Sequence, residues 1–120
     1  GFVDQGKKYQ LLSDADIAVF PSLSGESFGI VIIEAMSAGS KVVLSGDNSG
    51  YRSVLKNNSF LFDPKNIEQF AATIAKYANN RLERDKANKV QAKTFQNFNI
   101  ENVGPKIEKI YQESCKKLSK

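Results

Sequence analysis

IAVFPSLSGESFGIVIIEAMSAGSKVVLS, residues 17–45, is the stretch that decides the fold. Ile17–Phe20 is a short continuous apolar run, the pattern of a strand buried on both faces, and Pro21 ends it. Gly29 to Ala38 reads as a helix, with Gly39 where a C-terminal cap belongs. Val42–Leu44 is a second buried run. A strand, a helix and a strand in so short a span make a parallel pair joined by a crossover.

The pattern continues on both sides. Residues 5–14 (QGKKYQLLSD) read as a helix with Tyr9, Leu11 and Leu12 inward. Gly46 to Gly50 (GDNSG) reads as a turn, Tyr51 to Lys56 as a short helix and Phe60 to Phe62 as a short strand. Beyond Asn66, Ile67, Phe70, Ala71, Ile74 and Tyr77 recur at helical spacing, a stripe expected to pack in the core. Residues 81–96 form a second, more polar helix, and Val103, Ile107, Ile110 and Tyr111 mark a third. The expected fold class is α/β: a βαβαβ parallel sheet flanked by helices, then a helical tail. Residues 1–65 carry the α/β part and 66–120 the tail, in a single domain.

Composition narrows the function. The 41% hydrophobic and 25% charged fractions are those of an ordinary globular chain. No apolar stretch reaches the roughly 18 residues of a membrane span. The opening GFVDQGKK has no signal-peptide pattern and lacks Met, so the chain is expected to be part of a longer polypeptide. The single cysteine, Cys115, precludes an internal disulfide and fits a reducing, cytoplasmic setting. The absence of histidine removes Ser-His-Asp and Cys-His chemistry and the usual zinc sites. The net charge of +4 is uneven: residues 1–75 carry 6 basic and 8 acidic side chains, residues 76–120 carry 11 and 5. Two readings of the basic tail stay open, a solvated face or contact with an anionic membrane surface. Aromatics are not interleaved with the basic residues, which argues against nucleic acid.

The candidate site lies where the two loops leave the carboxyl edge of the sheet, Pro21 to Glu26 and Gly46 to Gly50, since ligands of open parallel sheets bind there. Both loops are rich in Gly and Ser, which let a backbone approach a ligand. The first runs into a helix start at Phe28-Gly29-Ile30, where free N–H groups and the helix dipole favour a phosphate. Glu26 precedes that start and Glu34 follows it, eight positions on in an apolar setting, suited to accept hydrogen bonds from a vicinal diol. One carboxylate on each side of a phosphate-binding turn fits a nucleotide-sugar. The alternatives are a salt bridge from Glu34 to Arg52 or Lys41, and helix capping by Glu26. Asp14-Ala15-Asp16 imitates a metal-binding pair but belongs at the opposite sheet edge, and Phe28 reads as core before it reads as a stacking platform.

Gly1-Phe2-Val3, LLSDADIAVFPS at 11–22, GESFGIVIIEAMSAG at 25–39, VVLS at 42–45 and the Phe60–Asp63 strand exit together resemble the carboxyl-terminal, nucleotide-sugar-binding domain of family 4 glycosyltransferases with the GT-B fold. GESFGIV and the pair Tyr51-Arg52 are most similar to bacterial phosphatidyl-inositol mannosyltransferases. The resemblance implies a retaining hexosyltransferase, using GDP-mannose as donor and a lipid or glycan as acceptor, at the inner face of the membrane. It implies Glu26 as the catalytic residue, contacting the sugar hydroxyls, and Glu26, Ser27, Phe28, Gly29, Ile30 and Glu34 as the substrate-binding set, with Glu34 on the ribose. It implies no metal and no cofactor. The family's diphosphate-clamping Arg and Lys, and its acceptor domain, are absent from this segment, which by itself is then expected to be inactive. The last helix, 101–118, resembles the one that crosses to the acceptor domain; its apolar face is expected to pack in cis or against another chain. Where many relatives have Thr-Pro and Gly-Gly-x-x-Glu, this chain has Ser40-Lys41 and Asn48-Ser49-Gly50-Tyr51-Arg52. The rival classes are a non-catalytic nucleotide-binding or assembly module, a dehydrogenase-type dinucleotide domain, which would need G-x-G-x-x-G, and a nucleotide-sugar epimerase.

Overall fold

A computed structural model describes residues 1–119; Lys120, the last residue of the expected tail, lies outside the described residues. The elements run α1 (Gln5–Asp14), β1 (Ile17–Phe20), α2 (Ile30–Ala38), β2 (Val42–Gly46), α3 (Ser49–Val54), a single 3-10 turn (Asn58–Phe60), β3 (Leu61–Phe62), α4 (Ile67–Ala78), α5 (Arg81–Gln96) and α6 (Ile100–Leu118). The three strands are parallel in the order β1-β2-β3, so the expected α/β class holds. Ile17 to Phe20 align with Val42 to Ser45, whereas β3 meets only Ser45 and Gly46.

The central strand is the core. Every residue of β2 is buried, with Ile32 and Ala35 of α2 on it and Tyr51, Val54, Leu55, Phe60, Leu61, Phe62 and Tyr77 around it. Phe62 and Phe70 stack with centroids 4.3 Å apart, which seats α4 on β3. The Tyr77 hydroxyl donates to the Ser59 carbonyl at 3.1 Å, and Arg84 donates to the Tyr77 and Ala78 carbonyls, covering the end of α4.

Several expectations are corrected. β1 lies at the end of the strand order and only Ala18 is fully buried, so its apolar run is half-buried rather than covered on both faces. On α1 only Leu12 packs against the core; Tyr9 and Leu11 are exposed. In the 67–77 stripe, Phe70, Ile74 and Tyr77 pack inward, but Ile67 and Ala71 face solvent, because the contact between α4 and the sheet begins a turn later. The GDNSG turn is shorter than its glycines suggest: α3 starts at Ser49, after Asn48 has capped it by accepting from the Tyr51 N–H. α6 contains no buried residue: Val103 is half-buried, but Ile107, Ile110 and Tyr111 are exposed, so beyond its first turn the apolar face does not pack in cis.

The polar face of α5 has a structural task. β3 is too short to pair with the first half of β2, which leaves the Val43 backbone facing the space beside it. The buried Gln91 side chain fills that space: the Val43 N–H donates to its Oε1 at 2.8 Å, and its Nε2 donates to the Val43 carbonyl at 2.7 Å. Asn88 adds a donor to the Lys41 carbonyl at 3.0 Å. A side-chain amide thus replaces a missing stretch of strand, satisfying backbone groups that would be costly to bury alone. Gln91→Leu should destabilise the protein by about 2–4 kcal/mol, since two buried backbone groups lose their partners. Denaturant unfolding of the variant beside Asn88→Ala, at an exposed position, checks this; equal small losses would contradict it.

Candidate functional site

The site grows from the carboxyl ends of β1 and β2. Both strands run in one direction, so the segments after Phe20 and after Gly46 emerge side by side, as expected. They are locked together backbone against backbone. A methyl group at Gly46 would collide with the Ser22 carbonyl, and one at Gly50 with the Glu26 carbonyl. Asn48 Nδ2 donates to the Ser22 carbonyl at 3.0 Å. Gly46 and Gly50 therefore serve the approach of one loop to the other, not of a loop to a ligand. Gly25 is the loop glycine with open space around it.

The start of α2 depends on the same contact. Gly29 is buried, has φ +93°, and a Cβ there would stand 2.7 Å from the Tyr51 ring. No side chain other than hydrogen fits both the left-handed backbone and the space. Gly29 is also the N-cap, so α2 begins with no side-chain acceptor for its first amides. The other α-helices begin on Asp4, Asn48, Asn66, Asn80 and Asn99, each accepting from a first-turn N–H. Uncapped amides at a helix start, reinforced by the helix dipole, form an anion-binding feature.

Glu26 is half-buried ahead of that start, and among the described residues it makes no salt bridge or side-chain hydrogen bond. It does not cap α2, so that alternative is set aside. Glu34 is ion-paired, but with neither expected partner: Lys8 of α1 reaches Oε1 at 3.1 Å. Arg52 is bound to Asp47, with Nη2 2.6 Å from Oδ2, and that pairing raises the guanidinium pKa further. Lys41 is bound to Asp16. The Glu34 side chain retains 27% exposure, so the charge sits at the rim of the apolar run rather than inside it. It lines a cleft of about 320 Å³ with Tyr9, Ile30, Ile33, Ser37 and Phe98.

Phe28 is not core. It is 40% exposed and meets Phe98 edge-on at 5.8 Å, while its carbonyl accepts from Ser53 Oγ at 3.2 Å. Ser27 and Ile30 are exposed. Asp16 lies at the amino end of β1, the edge away from these loops, where its hydrogen bond and charge contact with Lys41 hold its carboxyl below the usual range. Sequence reasoning missed Lys8 and Asn48. Asn48 could have been found as an N-cap signal before a helix; Lys8, 26 residues from Glu34, left no local signal.

Three parallel strands flanked by helices, with an uncapped helix start at the carboxyl edge, make this a Rossmann-like α/β architecture. Residues 1–95 match the family model described as "Glycosyl transferases group 1", and the chain belongs to that family. It is 30% identical over 114 residues to a phosphatidyl-myo-inositol mannosyltransferase of Mycobacterium leprae, an alignment covering 93% of this chain and 30% of that protein. The corresponding Mycolicibacterium smegmatis protein is 49% identical over 55 residues, 46% of this chain and 14% of the relative. An uncharacterized glycosyltransferase of Methanocaldococcus jannaschii is 29% identical over 115 residues, 93% of this chain and 29% of the relative. The chain thus spans about a third or less of the curated relatives it matches. Among the described residues no helix is long and apolar enough to cross a membrane.

Gly29→Ala should cost about 2–4 kcal/mol, from the left-handed backbone plus the collision with Tyr51. Gly25→Ala, at φ +86° in open space, should cost only about 1–2 kcal/mol. Thermal unfolding of the two variants separates the terms; equal losses would remove the steric role of Tyr51.

Proposed function

We propose that this chain is the nucleotide-sugar-binding part of a retaining glycosyltransferase that transfers a hexose, mannose from GDP-mannose, to a lipid or glycan acceptor held by a separate domain of the full-length protein. In this reading the site residues lie within residues 1–65, and α4 and α5 pack behind them. The observation that supports the proposal is the uncapped start of α2 at the carboxyl edge of the sheet, with Glu26 three residues before Gly29 in the chain and Glu34 five residues after it. Family membership agrees with it.

The division of labour follows from charge. The donor diphosphate lies against the Ile30 and Val31 N–H groups, the Ile32 N–H being taken by the Gly29 carbonyl at 3.0 Å, and the dipole stabilises charge that grows as the sugar departs. Ser27, Phe28 and Ile30 offer backbone contacts to sugar and diphosphate. Glu26, without a side-chain partner among the described residues, is available to accept from the sugar hydroxyls and orient the ring. Glu34 accepts from the ribose hydroxyls. The acceptor attacks the face the diphosphate leaves, so configuration is retained. A lipid acceptor would bring the reaction to the inner face of the membrane.

The test is a screen of the full-length protein against GDP- and UDP-sugars, reading nucleotide release. GDP-mannose should be preferred; a strong UDP-sugar preference would overturn the donor and leave the family untouched. Glu26→Ala should lower transfer by about 10- to 100-fold, the loss of hydrogen bonds to a charged group. Transfer at the parental rate would remove Glu26 from the chemistry, and nucleotide binding without any transfer would favour a non-catalytic binding module.

A further inference from the structure

We infer that Lys8 is a positioning residue for Glu34 and thereby sets how strongly the site prefers a ribonucleotide to a dideoxyribonucleotide; the inference rests on the proposed ribose contact of Glu34. Lys8 Nζ is 3.1 Å from Glu34 Oε1, joining α1 to α2 across 26 residues of sequence. Both side chains are about one-third exposed or less, so the contact is partly shielded from water and salt. Among the described residues no other cation reaches Glu34: Arg52 and Lys41, nearer in sequence, are engaged by Asp47 and Asp16.

The geometry gives the two carboxylate oxygens different tasks. Lys8 donates to Oε1 and so restrains the head group of Glu34, which lines the cleft with Tyr9, Ile30, Ile33 and Ser37. Oε2 makes no side-chain hydrogen bond among the described residues and is open to a hydroxyl donor. A glutamate has three side-chain torsions, and its remaining neighbours in the cleft are largely apolar, so without Lys8 the head group has little to orient it. An oriented acceptor rewards a vicinal hydroxyl only when one is present, so the effect belongs to the ribose and not to the diphosphate.

The experiment is calorimetric titration of the full-length protein with GDP and UDP, each beside its 2′,3′-dideoxy counterpart, which lacks both ribose hydroxyls, for the parent, Lys8→Met, Lys8→Arg and Glu34→Gln. Lys8→Met should weaken ribonucleotide binding about threefold, the scale of a partly exposed ion pair, while dideoxynucleotide binding stays unchanged. Lys8→Arg should restore the preference, and Lys8→Met should have no effect in the Glu34→Gln background. Equal weakening of both nucleotides would mean that Lys8 touches the ligand directly, and tighter ribonucleotide binding would mean that it obstructs Glu34; either overturns the inference. If Glu34→Gln abolishes the preference and Lys8→Met does not change it, the inference falls and the site reading stands. If Glu34→Gln leaves the preference intact, the ribose contact itself is wrong and the inference falls with it.

Discussion

The structure depends on one close approach, the contact between the loop after β1 and the segment after β2. Ser22 and Glu26 lie with their carbonyls against Gly46 and Gly50, and the Tyr51 ring covers Gly29. Backbone pressed to backbone leaves no volume for a Cβ, so glycine at these positions is a steric requirement rather than a source of flexibility. Because Gly29 begins α2, the same contact fixes where that helix starts and where its free amides lie. Core packing and the start of α2 are therefore one construction.

The charges around this contact are arranged in separate pairs. Asp47 takes Arg52 and Asp16 takes Lys41, at opposite edges of the sheet, and Lys8 takes Glu34. These are surface or half-exposed pairs, and such pairs add little stability. Of the two glutamates of the motif, Glu34 is ion-paired and Glu26 makes no side-chain hydrogen bond or salt bridge among the described residues.

The helices after β3 do unequal work. α4 closes one side through Phe70 and Tyr77, and α5 completes the ladder of β2 through Gln91. α6 contributes no buried residue, and the molecule is elongated, at 60 × 32 × 28 Å. The sequence pattern could not separate these roles, because an amphipathic stripe records that a face is apolar without recording what covers it. Ile67, Tyr9 and Leu11 belong to such stripes and yet are exposed.

What the sequence by itself determined were features encoded locally. The βαβ order, the span of α5, the position of Gly39 as a cap and the eight-residue spacing of Glu26 and Glu34 follow from periodicity and from residues with narrow conformational ranges. Tertiary structure alone decided which groups meet: Lys8 with Glu34, Gln91 with the Val43 backbone, Gly50 with the Glu26 carbonyl. Each joins segments more than 20 residues apart, and contacts over such separations are fixed by the packing of whole elements, which no local pattern of side chains records.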